Sequence, residues 1–113
     1  MRSACPVSSV LDIIGDKWTL LVVRDLLFLG KRMYSELADS MEKIPTNILA
    51  DRLKKLEAAN LIEKKPYQDK PVRYAYTLTA RGEALRPVLI EMATWGNEYI
   101  AGTVKAPKEF MER

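Results

Sequence analysis

The chain has 113 residues, 48% of them hydrophobic, with 18 Lys and Arg against 15 Asp and Glu for a net charge of +3. That is about the size of one domain around one core; a single cysteine, Cys5, excludes an intrachain disulfide framework, and the lack of histidine excludes a Cys/His metal cluster. No apolar run reaches the roughly 18 residues needed to span a bilayer, and no secretory signal opens the chain, so a cytoplasmic protein with no membrane contact and no cofactor is expected.

In chain order, Met1 to Pro6 reads as extended, and Ser8 or Ser9 caps a short helix through Val10, Leu11, Ile13 and Ile14 that Gly15 ends. Lys17 to Leu29 is apolar almost all round, which predicts the central core helix, stopped by Gly30. Trp18 at its start is expected in core or interface packing. Lys31–Tyr34 is a short strand or turn, and Ser35 to Met41 a short helix.

From Ile44 to Asn60 the residues Leu49, Leu53 and Leu56 share one helical face, leaving Thr46, Asn47, Ala50, Asp51, Lys54 and Lys55 elsewhere. Pro45 suits a helix start and Asn60 a helix end. Leu61–Tyr67 and Val72–Leu78, joined by the polar tip Gln68–Pro71, form a hairpin. Tyr74, Tyr76 and Leu78 lie on one side of it, facing the helix, with Arg73, Ala75 and Thr77 on the other. Two helices joined by a short turn and followed by a hairpin have the layout of a winged helix-turn-helix.

Charge agrees with that layout. Between Lys43 and Arg73 eight basic residues face four acidic ones, so the basic excess is local, as on a phosphate-binding surface. The first turns of a recognition helix reach base edges, which assigns Thr46, Asn47, Ala50 and Asp51 to bases. Lys54, Lys55, Lys64 and Lys65 fall to phosphates, Arg73 near the wing to a backbone or minor-groove contact, and Lys70 to the same DNA-binding set.

Thr79 caps the last helix, where Val88, Met92, Trp95 and Tyr99 are spaced 4, 3, 4. Pro87 kinks that helix or marks its beginning. The stripe is more apolar surface than so small a domain covers; together with Val10, Leu11 and Ile14 it predicts a homodimer interface. The fold class is mainly α with a small β-hairpin, residues 1–101 forming the domain with its dimerisation helices and 102–113 a flexible tail.

Nothing here favours an enzyme: there is no histidine, no glycine-rich phosphate loop, and no Ser or Cys with a base to activate it. The alternatives are a regulator binding double-stranded DNA and a winged helix used for protein contacts, its basic face meeting an acidic partner.

Several local features line up in order: Cys5-Pro6, Ile14-Gly15-Asp16-Lys17-Trp18-Thr19-Leu20-Leu21, Arg24-Asp25-Leu26, Ile44 with Leu49, Arg52-Leu53-Lys54-Lys55-Leu56-Glu57, Tyr76-Thr77-Leu78-Thr79-Ala80-Arg81-Gly82 and Trp95-Gly96. From residue 5 to about 100 the chain resembles the HxlR family of bacterial transcriptional regulators. Met33, Pro45 and Ala75 depart from the family's usual Phe, Ser or Thr, and acidic residue. The resemblance implies a dimeric winged helix-turn-helix on inverted-repeat DNA, with dimer contacts from the N- and C-terminal helices. Some members sense oxidants or electrophiles through a cysteine at the place of Cys5, whose thiolate Arg2 would favour.

Overall fold

The computed structural model describes residues 4–112. Six α-helices and one two-stranded antiparallel sheet follow in the order α1 (Pro6–Ile14), α2 (Thr19–Phe28), α3 (Tyr34–Ala38), α4 (Thr46–Ala58), β1 (Ile62–Asp69), β2 (Val72–Leu78), α5 (Ala80–Glu83) and α6 (Arg86–Tyr99). This is the winged helix-turn-helix expected, with α3 and α4 as its helix pair and the hairpin as its wing.

Helix α1 starts earlier than the serines suggest. Pro6 takes the first turn, where its missing N–H costs nothing, and the Cys5 carbonyl accepts from Ser9 N at 2.9 Å. Helix α2 starts later than expected, because Asp16 accepts from the backbone N–H of Trp18 (3.0 Å) and Thr19 (3.2 Å) and from the Thr19 hydroxyl. It ends before Gly30, which at φ +66° takes the left-handed conformation that suits glycine. Helix α3 stops at Ala38 rather than Met41, and the turn into α4 passes through Lys43 at φ +55°.

The core is built from α1 to α4 and the start of β1: Ile14, Val22, Val23, Leu26, Leu37, Ile44, Leu49, Leu53, Leu56, Leu61 and Ile62 are all buried. Each such side chain contributes on the order of 2 kcal/mol by leaving water. Ile14 therefore packs inside this subunit, unlike Val10 and Leu11 beside it, which are exposed. Trp18 packs at the core's edge with the Lys17 ammonium 4.7 Å from its ring centre.

The hairpin leaves the core gradually. Ile62 pairs with Leu78, Lys64 with Tyr76 and Lys65 with Ala75; Met33 bridges to Ala75, and Arg32 O accepts from Tyr76 N at 2.7 Å. Beyond this third, one-residue strand the register shifts between Pro66 and Gln68, and the rest overhangs. Tyr76 and Leu78 pack against the core, whereas Tyr74, paired with Pro66 on the overhang, is exposed and carries Lys64 4.7 Å above its ring. The expectation that Tyr74 packs on the helix is thus corrected.

At the base of the wing, Asn60 at φ +63° ends α4. Its carbonyl accepts from the Thr79 hydroxyl at 2.8 Å, and Thr79 Oγ1 in turn caps α5 by accepting from Gly82 N at 3.1 Å. A Cβ at Gly82 would lie 2.2 Å from Leu61 O, so only glycine permits this approach. The Thr79-x-x-Gly82 spacing is thereby explained. Pro87 marks the start of a separate α6, one of the two outcomes its position allows.

After α6, Asn97 holds the returning chain through Nδ2 to Thr103 Oγ1 and Val104 O, both at 3.0 Å. A 3-10 helix, Lys108–Met111, then sets the Phe110 ring 5.4 Å from that of Phe28. Contacts with the domain so continue past residue 101, where the sequence alone places its end. No described helix is long and apolar enough to cross a membrane.

Candidate nucleic-acid interface

Helix α4 presents two unlike faces because its leucines repeat every three or four residues. Leu49, Leu53 and Leu56 are buried, and Thr46, Asn47, Ala50, Asp51, Lys54 and Lys55 are exposed. Thr46 and Asn47 are its first two residues, so their backbone N–H groups lack intrahelical acceptors and point outward with the positive end of the helix dipole. No side chain caps this end; Pro45 stands at the cap, and the Tyr34 hydroxyl donates to Thr46 O at 2.9 Å. Tyr34 thus fixes the helix start, a role that no local pattern signals.

The wing stands beside this helix. A groove of about 130 Å³ runs between them, lined by Ala50, Leu53, Lys54, Glu57, Lys64, Tyr34 and Tyr76. Lys64 is on the groove side of the hairpin with Tyr76; Lys65 and Arg73 are exposed on its other side, and Lys70 is at the tip. A second concavity, lined by Tyr34, Tyr67, Arg73 and Tyr74, continues the surface outward. The ten residues assigned to DNA from sequence are therefore all exposed, on α4 and the adjoining hairpin.

Asp51 does not stand alone there. Its carboxylate meets Arg52 at 2.5 Å and Lys55 at 3.3 Å, and the Lys55 hydrogen bond above all holds it below the ordinary carboxylate range. Arg52 reaches further, donating from Nε to Asp16 Oδ2 at 2.7 Å. This pair ties the middle of α4 to the turn between α1 and α2. Burial opposes ionisation of Asp16, but hydrogen bonds from Thr19, Arg52 and Trp18 together outweigh it and bring its pKa to about 2.

A second ionic cluster holds the turn before α4. Asp25, buried in α2, accepts from Arg24 Nε (3.0 Å) and Lys31 Nζ (3.1 Å). Arg24 also grips Glu42, in the helix-turn-helix turn, through two bonds of 2.7 and 2.8 Å. Sequence alone marked Arg24 and Asp25 only among the residues that carry the family resemblance.

On the far side, the apolar stripe of α6 is open: Val88, Met92, Trp95 and Tyr99 are exposed, Trp95 by 59% and Tyr99 by 69%. A groove of about 570 Å³ between α1 and α6 is lined by Val7, Val10, Leu11, Leu20, Val88 and Met92. Cys5 caps α1 at the end of this face with its thiol exposed; Arg2 lies outside the described residues. Among the described residues no His/Cys/Asp/Glu group is arranged to hold a metal.

A family model described as HxlR-like helix-turn-helix matches residues 13–103. The HTH-type transcriptional regulator sll1512 of Synechocystis sp. is 38% identical over 96 residues, 85% of this chain and 70% of that protein. YodB of Bacillus subtilis, an HTH-type transcriptional regulator, is 32% identical over 99 residues, 87% of this chain and 88% of YodB. Its reduced form matches this fold with a TM-score of 0.70 over 90% of this chain and 100% of that one, at 29% identity. Its diamide-treated form matches with 0.65 over 87% and 97%, at 30% identity. A protein of Porphyromonas gingivalis W83, described as a candidate MarR-family regulator, matches with 0.78 over 88% and 97%, at 35% identity.

Proposed function

The chain belongs to the HxlR-like helix-turn-helix family of transcriptional regulators, and from that premise we propose that it binds inverted-repeat duplex DNA as a homodimer through α4 and its wing. The observation that carries this reading is the groove between α4 and the hairpin, where Ala50 and Lys54 face Lys64. A phosphate strand following that groove meets Lys54 and Lys64 while Thr46, Asn47, Ala50 and Asp51 enter the major groove. Lys55, Lys65, Lys70 and Arg73 add backbone contacts on either side. Asp51, already paired with Lys55, accepts from a base only by exchanging that partner.

Dimerisation is assigned to the open apolar face of α1 and α6: Val10, Leu11, Val88, Met92, Trp95 and Tyr99, with Ile14 supporting it from the core. Residues 1–101 carry both functions. Cys5 is assigned as a redox or electrophile sensor, in keeping with the reduced and diamide-treated forms of YodB. A two-electron oxidant of the azo class, such as diamide, would take up two electrons and two protons from two thiols and become the hydrazine, joining Cys5 to its counterpart in the second subunit or to a small thiol. The protein is a regulator and not an enzyme, and its place of action is assigned to the cytoplasm.

Selection from a random duplex pool, followed by binding at graded salt, tests the reading. A palindromic consensus with half-sites about one helical turn apart is expected, bound with an affinity that falls steeply with salt. No enrichment together with salt-insensitive binding would favour a protein-contact module instead.

A further inference from the structure

Behind the helix-turn-helix lies a cavity of about 540 Å³ between α2, α6 and the returning C-terminal segment. That is within the size range of small-molecule sites, roughly 300 to 1,000 Å³. Leu21, Phe28, Leu89, Ala93, Pro107 and Phe110 give it apolar walls, and Val104 and Met111 help close it. Its charged lining residues are Arg24 and Lys105, and no carboxylate lines it.

The Arg24 guanidinium has five N–H donors. Four serve Asp25 and Glu42, which leaves one hydrogen on Nη1 among the bonds of the described residues. An apolar chamber with a forked cation in its wall, a second cation beside it and no anion fits one class of guest. We propose that this cavity binds a small monocarboxylate with an apolar, ring-sized body, and that its carboxylate draws Arg24 away from Glu42.

Asp25 is buried and also held by Lys31, so it keeps its bond, whereas Glu42 is partly exposed and the easier partner to displace. Glu42 stands one residue before Lys43, whose left-handed conformation shapes the turn into α4. Releasing it loosens the turn that aims the recognition helix. This second half rests on the DNA-binding reading; the binding of the acid does not.

The test titrates the full chain calorimetrically with 2-naphthoate and, in parallel, with 2-naphthalenemethanol. Saturable naphthoate binding is expected, with the alcohol at least about ten-fold weaker. No saturation, or equal affinity for acid and alcohol, overturns the proposal. Ala93→Phe, which fills the chamber, should abolish binding, and unchanged binding places the acid elsewhere and overturns it. Should that variant fail to fold, Lys105→Glu at an exposed position decides: about a ten-fold loss supports the site and no loss refutes it.

Saturating naphthoate should weaken binding to the selected duplex by about five-fold or more, and Glu42→Gln should shrink that effect while raising naphthoate affinity, since the acid then no longer competes with a carboxylate for Arg24. An effect unchanged in Glu42→Gln overturns the route through Arg24. A chain that binds naphthoate but no duplex overturns the DNA reading alone.

Discussion

Asn47, exposed on the first turn of α4, has the one side chain of the set that can pair bidentately with adenine. Asn47→Ala should cost about 1 to 3 kcal/mol on the selected operator and little on random duplex, as measured by fluorescence anisotropy on both. Equal losses would remove it from base readout. Asp16 acts on stability instead: its pKa of about 2 lies below the ordinary 3.8, so its bonds to Thr19 and Arg52 contribute at neutral pH. Their contribution persists above about pH 4 and is lost as the pH falls through about 2. Asp16→Asn, melted by circular dichroism across this range, should be less stable than the native chain at pH 6 and converge with it near pH 2. Such residues show where sequence reading stops. Exposure along α4 followed from its leucine spacing, but Asp16 meets Arg52 across 36 positions and Arg24 meets Glu42 across 18, beyond any local period.

Among the elements, the apolar run of α2, the hairpin and the break at Pro87 were legible because each rests on a local rule: periodicity, turn residues, a missing N–H. The starts of α1 and α2 were not, since Pro6 opens α1 ahead of the serines and Asp16 delays α2 by accepting from Trp18 and Thr19. Nor was the docking of the C-terminal segment, which depends on Phe110 finding Phe28. Helix α6 makes a prediction at this scale. It adds the buried Ile90 and the half-buried Leu89 to the body of the domain. Truncation after Arg86 removes both and should give an aggregating or unfolded chain; a soluble, DNA-binding monomer, detected by light scattering and anisotropy, would show that the helix is dispensable.

For the molecule as a whole, the open apolar face of α1 and α6 is the proposed dimer interface. Trp95→Glu, at a position open in the subunit, should preserve the circular dichroism spectrum, halve the mass seen by sedimentation and sharply weaken operator binding. An unchanged mass would place the interface elsewhere. In the dimer the recognition helices should stand about 34 Å apart, one turn of DNA. Cys5, at the edge of that face, should couple oxidant to DNA: mild diamide lowers operator affinity in the native protein, reductant restores it, and Cys5→Ser is unaffected. Equal binding throughout would make Cys5 structural. The wing adds a mechanical consequence. From its last support at Ala75 to Pro71 the hairpin projects four residues, about 13 Å at ~3.3 Å per residue, with its register shift near the root. A bend of about 10° at that root swings the tip by about 2 Å, most of a hydrogen-bond length. On the proposed reading, a projection of that length suits contact with a sugar-phosphate strand better than discrimination of one base edge from its neighbour. The proposal accordingly leaves sequence discrimination to α4 and accommodation of operator shape to the arm.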